Sequence, residues 1–585
     1  MSDNATATAL PEPTAIECRF AVYSKSNADQ DYRDLHLIKE NVHHADGTTT
    51  PNVKLEIDYK RPFWVTKKGL QNHKDKKEWT PKENLHEFQS TQSQLANSVA
   101  RALGKSWMKN PNLRDLADSP YLYGTDILST SVIKQSYRDK WDVQTPYSVA
   151  VYDTETDVIW GHGQIMMATV SFKDRVFTAV QKSFVAGYPN PIEKIHNLAK
   201  EHIGEFIKDR NITLDIVIVD TEIDVVKATI NKCHEWKPDL LSVWNLAFDM
   251  DKIIEACERA GLDPADLMSD PVVPREFRSF RFKKGPAKKV TASGRVMNFK
   301  PAQRWHTVFC PSSFYWVDAM GIFRQVRITA PEEPSYALDY ILSQKLKGVR
   351  KLKFKEADHL QGLEWHKFMQ AHYPLEYVVY NIFDCVSMEI LDEKTLDVCL
   401  SFPMFAGCTD FQHFNSQPKR AVNELHFFVQ EHNQVIGSTS AEMSNEMDLE
   451  TASLDGWIIM LPSHLVADNG LQIIQEHPDL RTNIRIHVGD LDVAASYPNG
   501  EVVFNISKET TSKELLSVEG VDMITQRMAT INLSGGRTNS VEFCTAIYGL
   551  PNFDTLLNAF EAKRNAQPVQ ELLAKPEEIE VTSVY

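Results

Sequence analysis

Between residues 147 and 244 the chain alternates short apolar runs with amphipathic stretches, and that alternation leaves few folds open to it. YSVAVYDTETDVIW, QIMMATVSF and RVFTAVQ read as consecutive strands, and PIEKIHNLAKEHIGEFIKDR reads as a helix. LDIVIV follows as a buried strand, DVVKATINKCHEW as a second helix and DLLSVWN as another strand. Strands that alternate with helices in this way predict a mixed sheet flanked by helices, in an α/β multidomain fold. Upstream, residues 18–66 alternate apolar and polar (RFAVYS, VKLEIDY, FWVT), which predicts a β-rich N-terminal region. KKGLQNHKDKKEW, from Lys67 to Trp79, reads as a solvated connector. At 585 residues the chain is too long for a single core. We divide it into 1–145 with a return at 400–455, a central region 146–399, and 456–585.

The net charge of −16 argues against a surface coated in basic residues, although a local basic groove is compatible with it. The eight cysteines are scattered, with no CxxC pair, so a zinc knuckle is not expected and a reducing compartment fits. No apolar run is long enough to cross a bilayer. MSDNATATALPEPTAIE has neither the basic nor the apolar region of a signal peptide and reads as a short unstructured lead-in.

Three acidic segments follow one another in the central region. In VAVYDTETD, Asp153 and Glu155 are two apart on a strand, so their carboxylates point to one face. In SVWNLAFDMDKII a strand gives way to a helix, with Asn245 and Asp249 four apart and Asp251 as a rival carboxylate. In LEYVVYNIFDCVSMEILDEKT, Tyr380 and Asp384 share a helix face. Each segment alone has an ordinary reading. Among 79 acidic residues a D-x-E arises by chance, Asn245 is a natural helix cap, and Asp384 reads as solvated. Together, Asp153, Glu155, Asp249 and Asp384 supply the oxygen ligands that a pair of hard divalent cations needs. Two such ions clamp the attacking water and the leaving oxygen of a phosphodiester, with Tyr380 placed to orient the water.

Two basic features stand beside these acids. PREFRSFRFKKGPAKKVTASGR carries eight Lys and Arg against the single acid Glu276, with Phe277, Phe280 and Phe282 interleaved. Charge for phosphates and rings for bases suit a single strand. A basic hairpin that packs its phenylalanines on the parent domain is the alternative, and the two are compatible. Lys419 and Arg420 read either as a pair contacting a nucleic-acid backbone or as surface charge.

The order D-T-E at 153–155, N-L-A-F-D at 245–249 and Y-N-I-F-D at 380–384 resembles the 3′→5′ proofreading exonuclease of the DnaQ-like superfamily, in the form built into family B DNA polymerases. PSYALDYIL, Pro334 to Leu342, resembles the helix start after the exonuclease hairpin in T4-like phage polymerases. The resemblance implies an RNase H-like exonuclease domain at 146–399. It implies two Mg2+ ions, with Mn2+ equally suited, held by Asp153, Glu155, Asp249 and Asp384. Asn245 and Phe248 are implied as substrate-binding.

GDLDVAASYPNG, Gly489 to Gly500, resembles motif A of the same family, and NISKETT resembles the segment after it. That resemblance implies a partial polymerase palm at 456–585. Asp492 would be a metal ligand there, and Tyr497 and Pro498 would lie at the incoming nucleotide. Ala495, Ser496 and Asn499 depart from the usual D-x-x-S-L-Y-P-S. TAIYGL echoes the family's N-S-x-Y-G, but Val541 stands where a lysine is expected and no D-x-D follows. One aspartate cannot hold two magnesium ions in polymerising geometry. The expectation is the N-terminal subunit of a split family B DNA polymerase, completed by a C-terminal polymerase subunit. Its implied partners are a DNA primer-template, a single-stranded 3′ end and dNTPs, with a sliding clamp among those the family admits. No membrane is implied, and the setting is cytoplasmic, in the host cell if the chain is phage-encoded. The alternatives are a stand-alone 3′→5′ exonuclease with a vestigial palm and a non-catalytic primer-template-binding subunit.

Overall fold

A computed structural model of the chain describes residues 12–28, 31–74, 76–140, 144–290 and 296–440. The chain divides into two units, Met1–Leu449 and Glu450–Tyr585, and the described residues belong to the first. The expectations on 456–585, including Asp492, Tyr497 and Pro498, lie outside the described residues.

The N-terminal region is β-rich. Pro13–Lys25 (β1), Asp34–His44 (β2) and Thr49–Ile57 (β3) form an antiparallel sheet in that order. Arg61–Thr66 (β4), Trp79–Pro81 (β5), Leu85–Ser90 (β6) and Leu122–Tyr123 (β7) follow, with β4 paired between β6 and β7. The lysine-rich connector is not wholly solvated. Lys76 donates to the Ala117 carbonyl, and burial pushes its ammonium down to about 8.

The centre is a six-stranded mixed sheet, as the alternation predicts, except that LDIVIV, expected as a buried strand, lies at the sheet edge with only Ile216 buried. Its strands are Val149–Thr156 (β8), Ile165–Phe172 (β9), Arg175–Gln181 (β10), Thr213–Val219 (β11) and Leu240–Val243 (β12). The basic insertion adds the short strands Arg281–Lys283 (β13), Lys288–Val290 (β14), Val296–Asn298 (β15) and Thr307–Phe309 (β16). Tyr315–Asp318 (β17) then completes the central sheet, in the order β11-β10-β9-β8-β12-β17. β8, β9 and β10 pair antiparallel, β12 is parallel to both β8 and β17, and β11 is parallel to β10. The parallel pairs are joined through helices because a parallel crossover needs a long connection. Pro191–Asp209 and Glu222–Trp236 are two of these helices, the second capped by Thr221, whose hydroxyl accepts from the Asp224 N–H.

Alternation along β8 sorts its side chains between two faces. Ala150 and Tyr152 enter a core with Val225, Ile230, Met250 and Trp316, under Glu222–Trp236 and Leu246–Ala260. Val151 enters another with Ile322, Ile341, Cys385 and Met388. Asp153 and Glu155 continue the Val151 face, toward the helix Pro374–Thr395.

Gln434–Ile436 (β18) pairs with β5 and returns the chain to the N-terminal strands. A buried ion pair joins the same strands to the central sheet. Arg19 on β1 is fully buried, with its guanidinium 3.1 Å from Asp239 and 2.6 Å from Glu17. It also donates to the carbonyls of Thr145 and Pro146 and lies 3.9 Å from the centre of the Tyr147 ring.

Among the described residues no helix is long and apolar enough to cross a membrane.

Candidate metal centre

Three of the predicted carboxylates meet at one end of β8. Asp153, Glu155 and Asp384 each offer an oxygen within 4.8 Å of the others, and among the described residues they are the one such acidic group. Strand geometry puts Asp153 and Glu155 on one face, and the helix Pro374–Thr395 lays Asp384 against it. Asn381, one turn before Asp384, donates to Asp153 Oδ2 at 2.7 Å and accepts from Thr169 Oγ1 at 2.5 Å, which fixes the carboxylate to the sheet.

Asp249 sits in the next layer. It is buried in the first turn of Leu246–Ala260, where its Oδ1 accepts from the Thr154 N–H at 3.0 Å and from Thr154 Oγ1 at 2.7 Å. It is therefore held against β8 between the two aligned acids, although it is not one of the three grouped oxygens. Asn245 occupies the cap position of that helix, but its side chain makes no capping hydrogen bond and is exposed. Phe248 is 45% exposed. The rival Asp251 points away and pairs with Lys284 at 2.6 Å.

Burial and crowding make the unliganded cluster reluctant to ionise. Burial pushes Glu155 and Asp249 up to about 7. Burial also raises Asp153 well above the usual carboxylate range, and the charges of Asp249, Glu155 and Asp384 add to it. Asp384 is raised by burial against the opposing pull of Lys351. Its Oδ1 is buried without a hydrogen-bond partner. An unpaired acceptor beside carboxylates that resist ionisation is the donor set of a hard cation site, so the residues present fit a divalent ion.

Sequence reasoning missed three neighbours. Lys351 donates from Nζ to Asp384 Oδ2 at 2.6 Å and to the Tyr380 hydroxyl at 2.9 Å. Burial works against its charge, but Asp384, Tyr380 and Asp153 outweigh it and its pKa is raised. Its backbone N–H is anchored on Asp339 Oδ1 at 3.0 Å, in the helix Leu338–Lys345 that PSYALDYIL predicts. Tyr380, read as orienting a water, is thus engaged by this ammonium. Tyr377 donates to Glu155 Oε2, and His366 Nδ1 lies 2.7 Å from the same hydroxyl. Burial, with Lys351 nearby, pushes His366 down to about 4. Tyr377 carries a readable signal, since it lies seven residues before Asp384 on the same helix. Lys351 has none, because it lies in a stretch without regular structure.

The loop after Glu155 borders this region. Asp157 accepts from the N–H groups of Ile159 and Trp160, and the turn leaves the Trp160 side chain 77% exposed. Gly163, at φ +60°, takes a left-handed conformation in this loop that a residue with a Cβ rarely adopts.

The basic features divide. Phe277 is fully buried, and Phe280 and Phe282, partly buried, pack against the central core, as the packing alternative expects. Arg278 lies 3.3 Å from Asp266. Arg420 donates to the Phe414 carbonyl and stacks 4.6 Å over its ring.

No protein-family model matches the chain, and a search of curated proteins finds no significant match.

Proposed function

We propose that residues 146–399 form a 3′→5′ exonuclease of RNase H-like (DnaQ-like) fold, acting on single-stranded or frayed DNA ends. The observation that carries this is the convergence of Asp153 and Glu155, from one motif, with Asp384, from another, on one buried acidic site, with Asp249 from a third motif held beside it. The sheet order supports the same reading, with three antiparallel strands continued on the β8 side by parallel β12 and β17. Asp153, Glu155 and Asp384 would hold one divalent cation, Mg2+ or Mn2+, and Asp249 would join Asp153 for a second. Bound there, the ions would polarise the scissile phosphate and lower the pKa of a water.

The chain's own residues have distinct tasks. Asn381 and Thr154 fix Asp153 and Asp249 by hydrogen bonds, so the carboxylates need not reorganise. Lys351 holds the Tyr380 phenol at the wall of the site and offsets part of the negative charge. Phe248 and Trp160 are exposed rings near the acids in sequence, suited to stacking on terminal bases that have left the duplex. The product would be a nucleoside monophosphate.

The polymerase part of the resemblance rests on Asp492, Tyr497 and Pro498, outside the described residues. It enters the proposal as a subunit of a split DNA polymerase, to be tested by primer extension.

The test of the exonuclease is Asp153→Ala. The variant should lose hydrolysis of a 5′-labelled single strand in Mg2+ while still unfolding in one cooperative transition. Retained hydrolysis would overturn the assignment.

A further inference from the structure

His366 has no place in the reading above, yet it is the outer member of a hydrogen-bonded chain that ends on the acidic site. It lies on the helix Gly362–His372, packed against Pro374–Thr395. Its Nδ1 is 4.0 Å from Glu155 Oε2, too far for a direct bond, but 2.7 Å from the Tyr377 hydroxyl that donates to that oxygen. A phenol has a single proton. With that proton in the hydrogen bond to ionised Glu155, the form that binds a cation, the imidazole must be the donor to the phenol oxygen, which assigns the Nδ1–H form from the network.

The surrounding rings fix the imidazole plane. His366 meets Tyr377 edge-on at 5.8 Å and Tyr380 at 6.1 Å, with interplanar angles of 87° and 84°. The two tyrosines stack at 5.6 Å and 11°, and Trp365 covers Tyr380 at 4.8 Å. The ring is thus held edge-on, with a nitrogen on the Tyr377 hydroxyl, which the Gln370 side chain also meets.

We propose that His366 is a positioning residue of the acidic site: by donating to the Tyr377 hydroxyl it commits the phenol proton to Glu155 and holds that carboxylate in one orientation for a divalent cation. The inference rests on the metal-site reading above. Outer partners of this kind change metal affinity or activity by about 10- to 100-fold when removed.

The experiment uses the full chain and two readouts, Mn2+ binding by calorimetry and hydrolysis of a single strand. His366→Phe keeps an edge-on ring without a donor, and His366→Asn keeps a donor near the Nδ1 position without the ring. We expect His366→Phe to weaken Mn2+ binding about tenfold and to lower kcat with KM for the strand unchanged, while His366→Asn stays within about threefold of the parent. Tyr377→Phe should show the same loss, and adding His366→Phe to it should change nothing more. Parent-like behaviour of His366→Phe overturns the proposal. So does an equal loss in His366→Asn, which would mean ring packing is what matters, or losses that multiply in the double variant. Tyr377→Phe tests the chain by itself if His366→Phe does not fold, and parent-like Mn2+ binding there is equally fatal. A parent chain that neither binds Mn2+ nor hydrolyses the strand defeats the metal-site reading itself, and the inference falls with it.

Discussion

Asp249→Asn should make the metal-free protein more stable while disabling it. The asparagine retains an Oδ1 to accept from the Thr154 N–H and hydroxyl, so the packing of Leu246–Ala260 on β8 is preserved. What disappears is a buried charge. Asp249 titrates at about 7 where an ordinary aspartate titrates at 3.8. A carboxyl that binds its proton more tightly when folded costs the fold nothing below its unfolded pKa. The cost grows as pH rises between the two values and is complete above the folded one. At roughly 1.4 kcal/mol per pH unit, the ionised group costs at most about 4 kcal/mol near pH 8. The neighbouring carboxylates share that cost, so we expect a gain of about 2 kcal/mol. Urea unfolding in EDTA would read it as a higher midpoint near pH 8 that largely disappears near pH 4. Added Mg2+ should stabilise the parent more than the variant. A variant no more stable than the parent near pH 8, or one whose gain is the same at both pH values, would refute the electrostatic account.

Two further outcomes follow from the same contacts. Arg19→Met leaves Asp239 and Glu17 buried without their shared cation and should cost about 3–5 kcal/mol in urea unfolding; a loss below about 1 kcal/mol would contradict the role of this guanidinium. Lys351→Met removes the cation that favours ionised Asp384, so the acidic limb of the hydrolysis profile should move to higher pH; an unmoved limb would show that Lys351 does not set the charge of the site.

Residues 147–244 and the helix Pro374–Thr395 were legible because each period there has one structural meaning. The two-residue repeat of VAVYDTETD places Asp153 and Glu155 on one face of β8, and the four-residue spacing in YNIFD places Asp384 on the helix above. Asp249 was legible as a strand-to-helix carboxylate, but its hold on Thr154 was not, since a side chain reaching a neighbouring strand leaves no trace in spacing. Lys351 was hidden for a plainer reason. It lies in RKLKF, one more basic run in a chain with 63 Lys and Arg, and only the tertiary fold brings it to Asp384. Arg19 was visible in principle, as a charge inside an otherwise apolar strand, RFAVYS, which means either an edge or a buried partner. The phenylalanines of the basic insertion left two readings open, because composition cannot tell a ring offered to a base from one packed on the parent domain, and the packing is what the structure shows.

The most direct test of the central claim is a primer-template with a recessed, 5′-labelled 3′ end, incubated with Mg2+, dNTPs and the chain alone, with shortening and extension read together. We expect stepwise shortening from the 3′ end with release of nucleoside monophosphates, and no shortening by Asp153→Ala. A primer that keeps its full length in Mg2+ and in Mn2+ would contradict it.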